Sequence, residues 1–168
     1  MHGGFAGLRT AEIERLDWTE VNLAGKFIEL KAKKAKTRAR RLVPITPNLA
    51  AWLEKCKQDE GPVWPQSLPY LFELQRDAAK AAGVKWKHNA LRHSFISYRV
   101  AEIKNVAQVA LEAGNSPDII FQHYRELVTE ETAKAWFGIT PAAVDAAKAA
   151  RERELAAKVT PLPVAAAA

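Results

Sequence analysis

The sequence contains a single cysteine, Cys56, among its 168 residues. One thiol can neither form an internal disulfide nor supply a zinc site alone, so we expect no cross-link and no metal. No apolar run approaches the roughly 20 residues that span a bilayer, and the first residues lack a signal-peptide pattern. These absences argue against a disulfide-rich secreted scaffold and a membrane protein, and they favour a cytoplasmic protein without a membrane partner.

Acidic residues are outnumbered: 25 lysines and arginines face 19 aspartates and glutamates, giving a net charge of +6. Such an excess favours a polyanionic partner. The basic residues concentrate in one segment, which contains Lys31, Lys33, Lys34, Lys36, Arg38, Arg40 and Arg41. By charge alone, this segment fits a solvated loop as well as a nucleic-acid contact.

Apolar residues make up 48% of the chain and charged residues 26%, which is typical of one globular domain. Residues 27–30 and 42–45 are rich in β formers and predict two strands, with the basic segment at the tip of their hairpin. Helical periodicity elsewhere predicts helices from residue 10, from 47, over 71–81, 89–100, 106–113 and 117–127, from 129, and over 141–158. The predicted class is therefore a mainly helical α+β fold with a small antiparallel β-sheet.

Several side chains receive structural interpretations from these patterns. Thr10 is expected to cap the first helix, and residues 1–7 are too few for an independent element. Cys56 ends an apolar stripe and is expected in the core. Leu71, Leu74, Ala78 and Ala81 recur at helical spacing, and Gly83 is expected to end their helix. His93 is expected to pack within its helix.

Four segments contain the arginine, lysine and tyrosine residues that are candidates for catalysis. They read FAGLRTAEIERL (5–16), KTRARRLVPI (36–45), HNALRHSFISY (88–98) and AGNSPDIIFQHYREL (113–127). Each segment has an ordinary structural explanation by itself. Their order and their residues, however, resemble the sequence motifs, or boxes, of tyrosine recombinases of the phage-integrase type. The resemblance covers about residues 5–136 and implies the catalytic-domain fold of that family.

The resemblance implies a DNA strand-transfer enzyme that needs neither metal nor cofactor. Tyr124 would attack a phosphodiester and form a 3′-phosphotyrosine intermediate, while Arg9 and Arg92 bind the phosphate. A hairpin lysine would act as the general acid for the leaving oxygen. Lys36 is the preferred lysine, with Lys33 and Lys34 as the alternatives.

Two positions depart from the family pattern. Asn89 stands where the second box usually has a histidine or lysine, with His88 one place earlier. Asn115 stands where the third box usually has a histidine or tryptophan. Asparagine can donate a hydrogen bond to phosphate but cannot exchange a proton near neutral pH. Help to the nucleophile would then come from His88, from His123 or from water, and the reaction could be slow.

The expected organisation is a catalytic domain over residues 1–140, truncated at its N-terminus, followed by a C-terminal helix and flexible tail over 141–168. The expected partner is double-stranded DNA, on which the free monomer would form an oligomer. Val144, Ala147 and Leu155 could form a face that docks on a neighbouring protomer, although packing on the same domain is an equal alternative.

Three other functions stay open. A type IB topoisomerase has a similar set of residues, but the compact spacing of the boxes favours a recombinase. A helix-turn-helix DNA-binding module would explain only residues 106–124. A catalytically impaired DNA-binding relative would explain Asn89 and Asn115. The DNA target and the direction of recombination are not encoded in these patterns.

Overall fold

A three-stranded antiparallel sheet forms one side of the molecule. The computed structural model describes residues 2–31, 40–124 and 128–158, and for His123 and Tyr124 only the backbone. In these ranges the strands are β1 (Val21–Asn22), β2 (Phe27–Leu30) and β3 (Arg41–Pro44), in the order β1-β2-β3. The two predicted strands are confirmed to within one residue, and β1 is an additional short edge strand.

The register of the β2–β3 pair determines which side chains face inward. Ile28 pairs with Val43, and Leu30 pairs with Arg41. These three apolar partners are buried, whereas Leu42 between them is 53% exposed. Because side chains alternate along a strand, Arg41 lies on the same inward face as Val43.

Helices supply most of the remaining chain, which confirms the predicted mainly helical α+β class. They are α1 (His2–Phe5), α2 (Thr10–Arg15), α3 (Pro47–Glu54), α4 (Leu68–Ala81), α5 (Ala90–Ile103), α6 (Val106–Ala113), α7 (Pro117–Tyr124), α8 (Glu130–Phe137) and α9 (Pro141–Lys158). α5 is central to the packing and contacts α1, α6, α7 and α8, while α6 also packs against β3.

Buried apolar side chains form two clusters. The first joins the sheet to the N-terminal helices and includes Phe5, Leu8, Ile28, Val43 and Leu49. The second joins three helices, α5 to α7, and includes Phe95, Ile96, Val109, Ala113 and Ile120.

Gly7 lies where the two clusters meet. Its φ is +62°, and a Cβ built there would be 2.4 Å from Cδ1 of Phe95. The left-handed backbone favours glycine, and the close approach to Phe95 requires it. The turn directs Leu8 into the first cluster and leaves Arg9 at the boundary of the second.

The N-terminal part corrects two expectations. Residues 2–5 form a short helix that packs on α5, so contact with a long neighbouring helix compensates for its length. Thr10 is the first residue of α2 and does not cap it. The N-cap position belongs to Arg9, whose backbone N–H donates to Oε2 of Glu12 at 2.8 Å.

Expectations about two other side chains, Cys56 and His93, are also wrong. Cys56 is exposed, because α3 ends at Glu54 and the apolar stripe no longer continues. His93 is exposed on the outer side of α5. On α4 the buried residue is Ala79, whereas Leu74 is 42% exposed. Leu71, Leu74 and Ala78 of α4 line a cavity of about 760 Å³.

The start of α9 packs on its own domain. Nε1 of Trp52 donates to the carbonyl oxygen of Ile139 at 3.0 Å, and Lys55 forms an ion pair with Asp145 at 3.3 Å. Further along, Leu155 is 55% exposed. Docking of α9 on a second protomer stays a prediction. Within the described ranges, no helix has the length and apolar character needed to cross a membrane.

Candidate active site

Arg9 reaches from the turn before α2 to the end of α6. Its Nη2 donates to the carbonyl oxygen of Gly114 at 2.7 Å and to Oδ1 of Asn115 at 3.0 Å. Its Nη1 donates to Oε1 of Glu12 at 3.0 Å. The side chain of Arg9 is 20% exposed.

Arg92 approaches the same place from the first turn of α5. Its Nη2 donates to the carbonyl oxygen of Ala113 at 2.7 Å and to Oδ1 of Asn115 at 2.9 Å. Its Nη1 donates to the carbonyl oxygen of Gly7. Arg92 is only 6% exposed, so it lies deeper than Arg9.

The structure therefore brings together three of the residues singled out in the sequence. Oδ1 of Asn115 accepts hydrogen bonds from both Arg9 and Arg92, so a single oxygen separates the two Nη2 atoms. We call Arg9, Arg92 and Asn115 the arginine cluster. Arg92 lies more than 80 residues after Arg9 and more than 20 residues before Asn115, so only the tertiary fold brings the three together.

The C-terminal end of α6 explains how the cluster is held. The last carbonyl groups of a helix lack partners within the helix and carry its negative partial charge. Here the helix ends at Gly114, whose φ is +65°, and the N–H of Asn115 donates to the carbonyl oxygen of Ala110 at 3.0 Å. The turn leaves the carbonyl oxygens of residues 112–114 to accept bonds from arginines.

Two further residues support the arginine cluster and were not singled out as site residues from the sequence: Glu12 accepts from Arg9, and Arg41 binds Glu12. Glu12 is 2% exposed, and both its oxygens accept bonds from Arg41, at 3.0 and 2.8 Å. Nε of Arg41 also donates to the carbonyl oxygen of Glu112 at 3.2 Å. Arg41 is thus buried in ion pairs and is not part of a solvated loop face. Its period-two spacing from Val43 was the available signal.

The Glu12 carboxyl is ionised despite its burial. Burial would raise its pKa, but hydrogen bonds and charges from Arg41 and Arg9 outweigh that effect and hold the pKa below its ordinary value. One negative charge therefore lies among three guanidiniums, and the site keeps an excess of positive charge suited to an anion.

The other predicted site residues have different outcomes. Asn89 precedes α5 with a φ of +53°, and with His88 it lines the same cavity as Arg92. No hydrogen bond among the described residues connects either side chain to the arginine cluster. Lys36, Lys33 and Lys34 lie outside the described residues, as do the side chains of Tyr124 and His123.

Tyr124 is the final residue of α7, an eight-residue helix that packs against α5 and α6. α7 begins two residues after Asn115. A helix rises about 1.5 Å per residue, so the backbone of Tyr124 lies roughly 10 Å along the axis from the start of α7.

The cavity beside the site is mainly apolar. Its walls include Leu8, Ile13, Trp64, Phe72 and Trp86, and Arg92 contributes at one end. A cavity with this lining is not the basic surface that would bind double-stranded DNA. Over the described part of the chain, no group of three or more histidine, cysteine, aspartate or glutamate side chains could hold a metal ion.

Comparison with known proteins supports the fold alone. No protein-family model matches the chain, and no curated protein sequence matches it. A solved structure of XerA recombinase is similar, with a TM-score of 0.63 and 18% sequence identity. The similarity covers 79% of this chain and 52% of the recombinase, so this chain spans about half the length of that protein. The chain has a mainly helical α+β fold with a small antiparallel sheet, similar to that of a recombinase.

Proposed function

We propose that this chain is a tyrosine recombinase catalytic domain, which cleaves and rejoins double-stranded DNA through a 3′-phosphotyrosine at Tyr124. One observation carries the proposal. Arg9, Arg92 and Asn115, singled out in separate sequence segments, share hydrogen bonds at the end of α6. The fold similarity to XerA recombinase supports the same conclusion.

The arginine cluster has the chemistry that phosphoryl transfer needs. Attack on a phosphodiester increases negative charge on the non-bridging oxygens, and catalysis consists largely of positioning and charge stabilisation. Guanidiniums are permanently charged and present planar forks to phosphate oxygens. Among the described residues, Arg9 bonds through three of its five N–H groups, so two are left for a phosphate.

Asn115 would contribute a neutral hydrogen-bond donor. Its Oδ1 already accepts from two guanidiniums, which uses both lone pairs and fixes the orientation of the amide. The Nδ2 group is then the part of the side chain that can serve a phosphate oxygen. An amide cannot exchange protons near neutral pH, so this contribution is electrostatic and does not vary with pH.

The proposed reaction balances without metal or cofactor. The Tyr124 oxygen attacks phosphorus, the bond from phosphorus to the 5′ oxygen breaks, and the phosphodiester energy is retained in the phosphotyrosine. The leaving 5′ oxygen takes a proton from a hairpin lysine, for which Lys36 is the preferred candidate. The phenol proton passes to His88, His123 or water. Rejoining reverses these steps.

Double-stranded DNA is the proposed partner, and assembly of several protomers on it is part of the proposal. The net charge of +6 supports binding of a polyanion. Affinity should fall steeply with salt, because each phosphate neutralised releases counterions.

A nicked-duplex assay tests the proposal. The substrates carry randomised sequence beside the nick, so that cleavage releases a short strand and traps the covalent intermediate. We expect a denaturation-resistant adduct that Tyr124→Phe abolishes. Tyr70→Phe is the control, because Tyr70 is 45% exposed on α4 and packs on Trp64. An adduct that persists in Tyr124→Phe would overturn the assignment of the nucleophile.

DNA binding without an adduct would instead favour a binding module or an impaired relative. A helix-turn-helix reader uses the first turns of its second helix in the groove. Here α7 reads PDIIFQHY and has no lysine or arginine. The preceding Gly114–Asn115 turn already binds arginines of the same chain. These contacts favour the enzyme over the reader.

A further inference from the structure

Three consecutive carbonyl oxygens at the end of α6 each accept a hydrogen bond from a different arginine. The carbonyl oxygen of Glu112 accepts from Arg41 at 3.2 Å. Those of Ala113 and Gly114 accept from Arg92 and Arg9, both at 2.7 Å. Arg41 therefore holds the same helix turn as the two arginines of the cluster.

Arg41 also binds the Glu12 carboxylate, which Arg9 binds as well. It binds both oxygens of Glu12, at 3.0 and 2.8 Å, while Arg9 binds one of them through its side chain. The side chains of Arg41 and Glu12 are 9% and 2% exposed. A buried carboxylate needs a close cationic partner, and Arg41 satisfies most of that need.

We propose that Arg41 is a positioning residue for DNA cleavage: it binds Glu12 and the α6 turn, and thereby keeps the Arg9 guanidinium oriented and available to the phosphate. This inference rests on the proposed function, since it concerns the same site. Arg41 itself touches neither substrate nor nucleophile in this assignment.

The charges explain why Arg9 depends on Arg41. If Arg41 were absent, Glu12 would have only Arg9 as a described cationic partner. Glu12 and the α6 turn would both lose a fixed contact and could move, so the partners that orient the Arg9 guanidinium would no longer be held in place. A lysine could supply the charge but not the planar fork that spans Glu12 and a carbonyl oxygen.

The end of α6 is shaped around this contact. A Cβ built on Gly114 would lie 2.8 Å from Nη1 and 3.0 Å from Cζ of Arg41. The glycine thus permits both the left-handed turn and the close passage of the guanidinium, so a bulkier residue there would displace Arg41.

Arg99 offers a matched control. Its side chain is 13% exposed and binds the carboxylate of Glu112 at 2.9 and 3.1 Å, at the same end of α6. It has no described hydrogen bond to Glu12 or to the arginine cluster. Arg99→Gln should therefore lower stability about as much as Arg41→Ala without affecting Arg9 directly.

The test compares Arg41→Ala, Arg41→Lys and Arg99→Gln in two assays, each below the thermal unfolding midpoint of the variant. In single-turnover cleavage of the nicked duplexes at saturating DNA, both Arg41 variants should slow adduct formation by about 10- to 100-fold, as misplaced catalytic groups do. Their Kd for DNA should change by less than about threefold, because loss of one phosphate contact at most is involved. Arg99→Gln should keep the wild-type rate.

The second assay does not depend on catalysis. Side-chain ¹⁵N spectra of the free protein report whether the Arg9 guanidinium rotates. We expect separate Nη signals in wild type and Arg99→Gln, and averaged signals in both Arg41 variants. If wild type forms no adduct but Arg9 loosens only in the Arg41 variants, the proposed function fails, and what stands is that Arg41 orients the Arg9 guanidinium. Unchanged Arg9 signals, full rescue by Arg41→Lys, or equal rate losses in Arg41→Ala and Arg99→Gln would overturn the positioning role.

Discussion

Asn115 separates a structural from a catalytic contribution more clearly than any other residue of the site, because its two ends have different tasks. Oδ1 accepts from Arg9 at 3.0 Å and from Arg92 at 2.9 Å, and Nδ2 is assigned to the phosphate. Asn115→Ala removes both tasks. Asn115→Asp keeps the acceptor and removes the donor.

The two variants should differ in stability. A hydrogen bond to a charged group contributes about 1.5–3 kcal/mol when buried. Asn115 is half-buried, and water can replace part of the loss, so Asn115→Ala should lower the free energy of unfolding by about 1–3 kcal/mol. A carboxylate about 3 Å from each guanidinium gains on the order of 5 kcal/mol per pair before desolvation. Asn115→Asp should therefore be at least as stable as wild type.

Activity should follow the donor. Loss of one hydrogen bond to developing charge costs about 10²- to 10³-fold in rate. We expect Asn115→Ala to fall in that range. Asn115→Asp should fall further, because its charge also neutralises part of the arginine cluster and repels the phosphate. Stability and rate would then change in opposite directions in one variant.

Urea unfolding and single-turnover adduct formation on nicked duplexes measure the two quantities on the same preparations. The reasoning fails if Asn115→Asp cleaves DNA within about threefold of the wild-type rate. Loss of the Nδ2 donor should cost about 10²-fold or more, so such a result would show that Nδ2 does not stabilise the phosphate. It also fails if Asn115→Asp is less stable than Asn115→Ala.

Two further predictions concern the scaffold of the site. Gly7→Ala combines a φ of +62° with a Cβ 2.4 Å from Phe95, so it should lower the free energy of unfolding by about 3 kcal/mol in urea titrations. Gly83 has a similar φ of +65°, but a Cβ built there meets no atom within 4 Å. Gly83→Ala should therefore lower the free energy of unfolding by only about 1–2 kcal/mol, and equal losses in the two variants would contradict the packing argument. Burial lowers the pKa of His2 to about 3, so between pH 6.5 and 3 the unfolded chain binds the extra proton and stability falls as pH falls. The free energy of unfolding should fall by about 2 kcal/mol from pH 7 to 5. In His2→Leu this part of the pH dependence should vanish. An unchanged pH dependence in His2→Leu would show that His2 is not the titrating group.

The parts of the fold that sequence patterns predicted are those determined by local periodicity. Val106, Val109, Ala110 and Ala113 predicted a helix, and Gly114 predicted its end; the structure has α6 over Val106–Ala113 with Gly114 at its C-cap. Gly7, which precedes Leu8 and Arg9 in the first of the four segments, lies in a turn with a φ of +62°, a conformation that glycine adopts without steric cost.

The errors arise where tertiary packing decides. Cys56 continues an apolar stripe, yet α3 stops two residues earlier. Helical spacing does not determine burial on α4 either, where Leu74 borders a cavity and is 42% exposed. Burial depends on what faces a helix, and periodicity contains no information about the opposing surface.

The inward position of Arg41 was indicated by its place in the strand, but the basic composition of the surrounding segment pointed to a solvent-exposed loop. Arg41 belongs to a run of basic residues, and such runs usually lie on solvated loops. Arg40, its neighbour, behaves in that way and is 68% exposed. Strand alternation from Val43 placed Arg41 on the inward face, but its partner Glu12 could not be found without the contact between β3 and α2.

The central claim is that Arg9, Arg92 and Asn115 surround one phosphate. The most direct measurement is a crystal structure of the protein with nicked duplex DNA and vanadate, which mimics the pentavalent phosphorus of the transition state. We predict vanadate oxygens within hydrogen-bond distance of the Arg9 and Arg92 guanidiniums and of Nδ2 of Asn115, with the Tyr124 oxygen on the vanadium. A complex in which these groups keep only their present partners and vanadate lies elsewhere would contradict the account.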